Sequence, residues 1–330
     1  MIVIDAHLDL AWNALNWNRD LTRPVSEIRM AEAGMKERGR GANTVAFPEM
    51  RQGEVAVCLA TLLARSTGLG EALLDYSSHE IASAMAQGQL AYYRIMESRG
   101  HLRMLRDWRS LESHLREWKN GSSPTLGFIL SMEGADPILS PDDVARWWND
   151  GLRVVGLAHY GLSAYAHGTS SAGGLRAQGR ELLKAMEEAG IVLDVTHLSD
   201  QSFWQAVELF RGPVLASHHN CRALVPDNRQ LTDEQIRCLI ERDSVIGAAF
   251  DSWMLHPGYV PGKTPNSLVT LERVADHIDR VCQLAGDSRH AAIGSDLDGG
   301  FGREQSPSDL DTIADLQKIP ALLRKRGYKE

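Results

Sequence analysis

The chain has 330 residues, 43% of them hydrophobic and 24% charged, and its 35 lysines and arginines stand against 43 aspartates and glutamates for a formal charge of −8. That length and apolar content suit one large barrel or two ordinary domains. The acidic balance excludes a partner bound through its phosphates, because nucleic-acid affinity rests largely on lysine and arginine.

From the N-terminus, Met1-Ile2-Val3-Ile4 is too short for the apolar core of a signal peptide and runs straight into Asp5-Ala6-His7-Leu8-Asp9. No apolar run reaches membrane-spanning length, so a cytoplasmic protein with no membrane partner is expected. Eight short β-branched or apolar runs follow one another at 2–5, 55–62, 125–130, 154–158, 191–194, 214–217, 245–249 and 291–294. Helical periodicity fills segments between them, at 78–99, 141–150, 175–189, 202–210, 232–242 and 268–285. Ser140-Pro141-Asp142-Asp143 supplies a cap, a proline in the first turn and acids beside it, and Thr232-Asp233-Glu234 opens another helix. Eight parallel βα units predict an α/β fold of the (β/α)8 TIM-type, metallo-dependent hydrolase-like, as a single catalytic domain over 1–330. The long connection at 11–54, charged and glycine-rich at 36–41, predicts an exposed excursion over the top of the barrel. No repeat, low-complexity tract or linker divides the chain. The four cysteines, Cys58, Cys221, Cys238 and Cys282, form no CxxC pair and read as reduced structural thiols.

In barrel enzymes the reactive groups stand at the C-terminal ends of the strands. Here those ends carry His7 and Asp9, then Glu133, His159, His197, His218 and Asp296, in that order. Residues two apart in an extended chain share a face, so His7 and Asp9 can enter one cavity. Singly, each has an ordinary reading: a lone histidine is commonly hydrogen-bonded in a core or loop, and a lone aspartate after a strand commonly caps a helix. The case is their coincidence, since four of the twelve histidines stand at strand ends together with three carboxylates. The set exceeds what one tetrahedral zinc requires, which points to two metal ions bridged by Glu133, whose two oxygens can serve one ion each. Such a pair would make a hydroxide near neutral pH and polarise a carbonyl, which implies hydrolysis. Asp296 is placed to shuttle the proton, His159 to donate to the oxyanion, and Arg229, in Val225-Pro226-Asp227-Asn228-Arg229, to clamp a substrate carboxylate. Read alone, Arg229 is better explained by a surface salt bridge.

His79, His101, His114, His277 and His290 read as solvated or capping residues, and His167 and His256 are left open. His219 adjoins His218, but neighbouring strand side chains diverge, so only one of the two is expected to face a metal. The glycines of Gly294-Ser295-Asp296-Leu297-Asp298-Gly299-Gly300 invite a phosphate loop, which the two aspartates would repel.

Asp5-Ala6-His7-Leu8-Asp9-Leu10, Met132-Glu133-Gly134, Leu157-Ala158-His159, Leu193-Asp194-Val195-Thr196-His197-Leu198-Ser199, Ser217-His218 and Ile293-Gly294-Ser295-Asp296-Leu297-Asp298-Gly299 together resemble the membrane (renal) dipeptidases in their bacterial form, over nearly the whole chain. The resemblance implies two zinc ions, one on His7 and Asp9, the other on His197 and His218, with Glu133 between them. It implies that His159 and Arg229 contact substrate and that Asp296 handles the proton. The implied substrates are dipeptides, often with a D-residue at the C-terminal position, and the implied assembly is a homodimer. The chain departs from the animal enzymes in lacking a secretory signal and a lipid-anchor tail, and it ends at Arg326-Gly327-Tyr328-Lys329-Glu330 where relatives tend to run on into a further helical segment. Rival readings are a deaminase, lactonase or β-lactam hydrolase on the same metals, a Schiff-base lyase, and a non-catalytic binding protein. The lyase needs a buried lysine, and Lys36, Lys119, Lys184, Lys263, Lys318, Lys325 and Lys329 all fall away from strand ends.

Overall fold

The computed structural model describes residues 1–70, 73–121 and 125–329, so Glu330 lies outside the described residues. Its strands are β1 (Val3–Leu8), β2 (Val55–Leu63), β3 (Leu102–Met104), β4 (Leu126–Glu133), β5 (Leu152–Gly156), β6 (Val192–Asp194), β7 (Val214–Leu215), β8 (Ile246–Ala248) and β9 (Ala291–Ile293). β2 is buried at every position, as expected of a parallel strand covered on both faces. The hydrogen-bonded order is β7-β6-β5-β4-β2-β1-β9-β8, with every pairing parallel. The two ends of that path meet through a parallel bridge between Ala216, just beyond β7, and Ile246 of β8. All eight predicted strands are therefore barrel staves. β3 is an addition: it pairs with β4 at Leu126–Phe128, along the edge that β5 takes up from Leu130 onward.

The seam between β7 and β8 is crowded. A Cβ on Gly247 would lie 2.0 Å from the carbonyl oxygen of Ser217, and one on Gly294 would lie 1.7 Å from it. Only glycine allows β8 and β9 to close on the chain that carries His218.

Five predicted helices appear as His79–Ser98, Ala177–Ala189, Asp200–Leu209, Asp233–Glu241 and Leu271–Ala285. The segment predicted at 141–150 is split into a 3-10 turn, Pro141–Asp143, and a helix, Val144–Asp150. Trp108–Lys119 is a helix the periodicity did not reveal, capped by Asp107, whose side chain accepts from the amide of Ser110 at 2.7 Å. The helices bury their apolar stripes on the barrel. The Tyr93 ring, for example, stacks on Phe128 of β4 with centroids 5.1 Å apart. Among the described residues no helix is long and apolar enough to cross a membrane.

The 11–54 connection is less of an overhang than its composition predicts. Residues 33–38 are exposed, but Leu21, Phe47 and Met50 enter the core. Arg19 explains the difference: its guanidinium meets Glu32 at 2.8 and 3.0 Å and Asn13 at 2.8 Å, and lies 3.5 Å from Asp298. Asp298 in turn accepts from the amides of Thr44 at 2.7 Å and Val45 at 3.0 Å. Removing one member of a buried ion network strands the others, so Arg19→Ala is expected to cost about 3–5 kcal/mol of stability. Urea titration would measure this, and an unshifted midpoint would show that the network only fills space.

Candidate metal centre

His7 is the penultimate residue of β1 rather than a residue beyond the strand, and Asp9 follows two positions later on the same side. His7 Nε2 lies 3.8 Å from Asp9 Oδ2, 3.5 Å from Glu133 Oε2 and 3.7 Å from Asp296 Oδ1. Glu133, the last residue of β4, places its other oxygen 3.2 Å from both His197 Nε2 and His218 Nε2 and 3.8 Å from His159 Nε2. Three sets of donors fall within 4.8 Å of one another: His7 with Glu133 and His218, Glu133 with His159 and His197, and His7 with Asp9 and Asp296. Every residue proposed for the metals from the sequence is thus in one cluster, and Glu133 joins its two sides.

Local backbone features aim these side chains. His197 and Asp296 adopt φ of 67° and 55°, left-handed conformations that cost a non-glycine residue free energy. The carboxylate of Asp194 accepts from the amides of Thr196 and Ser217, both at 3.0 Å, tying the end of β6 to the end of β7. Thr61 Oγ1 donates to Asp9, and Asn13 Nδ2 donates to the Asp9 carbonyl at 3.0 Å. Asp5, behind His7, accepts from the amide of Ser295 at 2.8 Å, and burial pushes its carboxyl up to about 6.

The cluster suits a cation. His197 Nε2 and His218 Nε2 stand 3.1 Å apart beside a carboxylate oxygen, and the buried His7 Nε2 has no hydrogen-bond partner among the described residues. Nitrogen and carboxylate lone pairs turned on one another repel unless positive charge lies among them. Burial and the facing Arg229 hold His197 well below the ordinary histidine range, so it offers a lone pair. Burial resists charge on Glu133, but the surrounding imidazoles outweigh it, and the carboxyl titrates well below its usual range. Burial, reinforced by the charges of Asp9 and Glu133, moves Asp296 the opposite way, well above that range.

Asp9, Glu133, His159, His197 and Asp296 line a cavity of about 240 Å³. Trp12, Leu63 and Leu74 pack together as an apolar wall, while Arg38, Asp251, Trp253 and Met254 also line it. Arg229 is 2% exposed, which removes the surface salt-bridge reading. Its Nη2 donates to the carbonyl of His218 at 3.0 Å and faces His197 Nε2 at 3.2 Å, while Nε and Nη1 have no acceptor among the described residues. His159 is buried in the same wall, and burial, aided by Arg65 and Arg229, lowers its pKa to about 3 against the pull of Glu133.

Sequence reasoning missed Arg65, whose Nη1 lies 2.8 Å from His159 Nδ1, and the buried Asp251, which accepts from Gln305 Nε2 at 2.6 Å. Position at the ends of β2 and β8 was the available signal for both. Three of the histidines read as solvated or capping are buried instead. His114 Nε2 pairs with the carbonyl of Ala56, His277 Nδ1 accepts from the amide of Cys221, and His290 Nδ1 pairs with the carbonyl of Ser244. Each lies on or beside an element that docks on the barrel, and helical periodicity alone did not reveal which face it occupied. His219, as expected, joins none of the metal-capable groupings among the described residues. All seven lysines are exposed, so no buried amine is available for a Schiff base.

Comparison with known proteins extends these observations. A protein from the pqqA 5′ region of Klebsiella pneumoniae is 30% identical over 246 residues, covering 72% of this chain and 85% of its own. Dipeptidase tcpJ of Claviceps purpurea is 28% identical over 221 residues, 64% of this chain but only 48% of the fungal protein. Among solved structures, a Rhodobacter sphaeroides metallopeptidase liganded with a phosphinate mimic of L-Ala-D-Ala superposes with a TM-score of 0.79 at 22% identity, covering 100% of this chain and 94% of its own. The dipeptidase AC gives 0.79 at 24% identity, with 100% and 93% covered. These two share the barrel. The sequence profile described as Membrane dipeptidase (Peptidase family M19) matches residues 1–330. With agreement along the whole chain and a cluster of metal donors at the strand ends, this protein belongs to the membrane dipeptidase family, peptidase family M19.

Proposed function

We propose that the protein is a binuclear zinc dipeptidase in which His7 and Asp9 hold one ion, His197 and His218 the other, and Glu133 both. When bound, the two ions would supply a water of near-neutral pKa and polarise the scissile carbonyl. The observation that carries the reading is Arg229, a buried guanidinium with two unpartnered donors beside a cluster of metal-seeking lone pairs. A fork of that kind fits a carboxylate, and a carboxylate one residue from the scissile bond belongs to a dipeptide. The small cavity agrees with a two-residue substrate.

The chain's own groups have separate tasks. Arg229 binds and orients the C-terminal carboxylate. His159 donates a hydrogen bond to the oxygen on which charge develops. Asp296, 3.7 Å from His7 Nε2 at the edge of the donor cluster, takes the proton that the attacking water sheds and delivers it to the departing amine. The phosphinate mimic of L-Ala-D-Ala bound by the structural relative supports a D-residue at the second position.

Purified protein should carry two zinc ions per chain and cleave L-L or L-D dipeptides in a panel assayed by amine release. Arg229→Ala should raise KM by roughly 30-fold or more, the effect of leaving one partner of a buried charged pair unmatched. An unchanged KM would count against the clamp. Turnover of lactones or amidines with none of the dipeptides would replace this reading by another hydrolysis on the same site.

A further inference from the structure

Four histidines belong to the donor cluster, and their second ring nitrogens meet different partners. Thr169 Oγ1 can donate to the carbonyl of His197 at 3.3 Å and so is free to accept from His197 Nδ1, 3.0 Å away. Ser217 Oγ likewise donates to Thr196 Oγ1 at 3.2 Å and faces His218 Nδ1 at 2.9 Å. Both hydroxyls can thus accept from Nδ1, which leaves a bare Nε2 toward the cluster, the tautomer a metal ligand needs.

His159 is the reverse case. Its Nδ1 lies 2.8 Å from Arg65 Nη1, and a guanidinium has donors only. Nδ1 must accept, so the neutral ring carries its proton on Nε2, the nitrogen 3.8 Å from Glu133 Oε1. A protonated Nε2 cannot bind a metal, but it can donate.

We propose that Arg65 is a positioning residue: by holding His159 Nδ1 as an acceptor, it keeps Nε2 out of the metal shell and turns its N–H toward the carbonyl oxygen of the substrate. The inference rests on the dipeptidase reading for its consequence but not for its geometry. The surroundings hold the pair in register. Arg65 is 1% exposed, and its amide and carbonyl are both engaged, with the carbonyl of Leu74 at 3.1 Å and the amide of Tyr76 at 2.7 Å. Asp136, three residues beyond Glu133, accepts from the amide of Ser66 at 3.0 Å on Arg65's loop. It also accepts from Ser163 Oγ at 2.7 Å and the amide of Ala164 at 2.8 Å on the loop of His159. One carboxylate thus fixes the donor's loop against the acceptor's. The grouping of His159 with Glu133 and His197 as potential ligands reflects proximity, and Arg65 selects against it.

The test compares zinc-loaded wild type with Arg65→Met, which fills the space without a donor, and Arg65→Lys, which restores one. Arg65→Met should keep two zinc ions and a near-normal KM while kcat falls roughly 100-fold, as for loss of one oxyanion donor. Arg65→Lys should recover a good part of kcat, which a purely space-filling role would not produce. In wild type, 15N spectra of the labelled histidines should place the proton of His159 on Nε2, with His197 and His218 protonated on Nδ1. A wild-type kcat in Arg65→Met, or a His159 protonated on Nδ1 in the wild type, would overturn the proposal. If Arg65→Met does not fold, the wild-type spectrum decides alone. Absence of dipeptide turnover in the wild type would remove the dipeptidase reading and leave the tautomer assignment to stand or fall on the spectrum.

Discussion

Glu133→Gln is expected to lose most of its bound zinc and to lower kcat/KM on the order of 10⁴-fold, the scale for removing one member of a cooperating catalytic set. Glu133 stands between 3.2 and 3.8 Å from four imidazoles, closer to the centre of the cluster than any other carboxylate. Glutamine preserves the shape but replaces one acceptor oxygen with an NH2 that donates. That donor can satisfy a lone pair that would otherwise seek a cation, so the folded protein is stabilised in its metal-poor form. Metal analysis by mass spectrometry alongside initial rates would check this. A full zinc complement in the variant would show that Glu133 is not the junction between the two sites.

Asp296→Asn separates proton transfer from metal binding. The left-handed backbone at Asp296 is one that asparagine also tolerates, so the substitution should not disturb the loop after β9. Two zinc ions should remain, while kcat falls by about 10²–10⁴-fold with little change in KM, since an amide has no acid proton to deliver to the leaving amine. Undiminished kcat would exclude Asp296 from the chemistry. Loss of zinc together with rate would instead assign it to the metal shell, where its 3.7 Å approach to His7 Nε2 makes it a candidate.

The site was legible in the sequence for a specific reason. Parallel staves are mostly apolar, so imidazoles and carboxylates at or just past their C-terminal ends mark the mouth, and His7, Glu133, His197, His218 and Asp296 all stand at such places. The groups that read poorly act through partners distant in sequence. Arg65 resembles any surface arginine until His159, 94 positions away, is seen against it. Arg19 looks like part of a charged excursion until Asp298 is placed beneath it. His114 and His277 lie in helices whose charged neighbours suggest solvent, yet each fills a polar gap between helix and barrel. Among the elements, β3 is three residues with an arginine at its centre, too short for any period to show. Trp108–Lys119 is so polar that no apolar run singles it out, and its cap, Asp107 with Ser110, is evident only in the structure.

The two glycines at the seam bear on how such a protein tolerates change. Gly247 and Gly294 do not line the cavity and have no side chain to offer an ion, yet the smallest possible addition at either would drive its stave off the carbonyl of Ser217 and displace the neighbouring imidazole. Selection on reactivity therefore reaches into parts of the wall that have no chemistry of their own, and invariance there would record a need for emptiness. A map of intolerant positions in this enzyme would outline its mouth and also the places where matter has been left out.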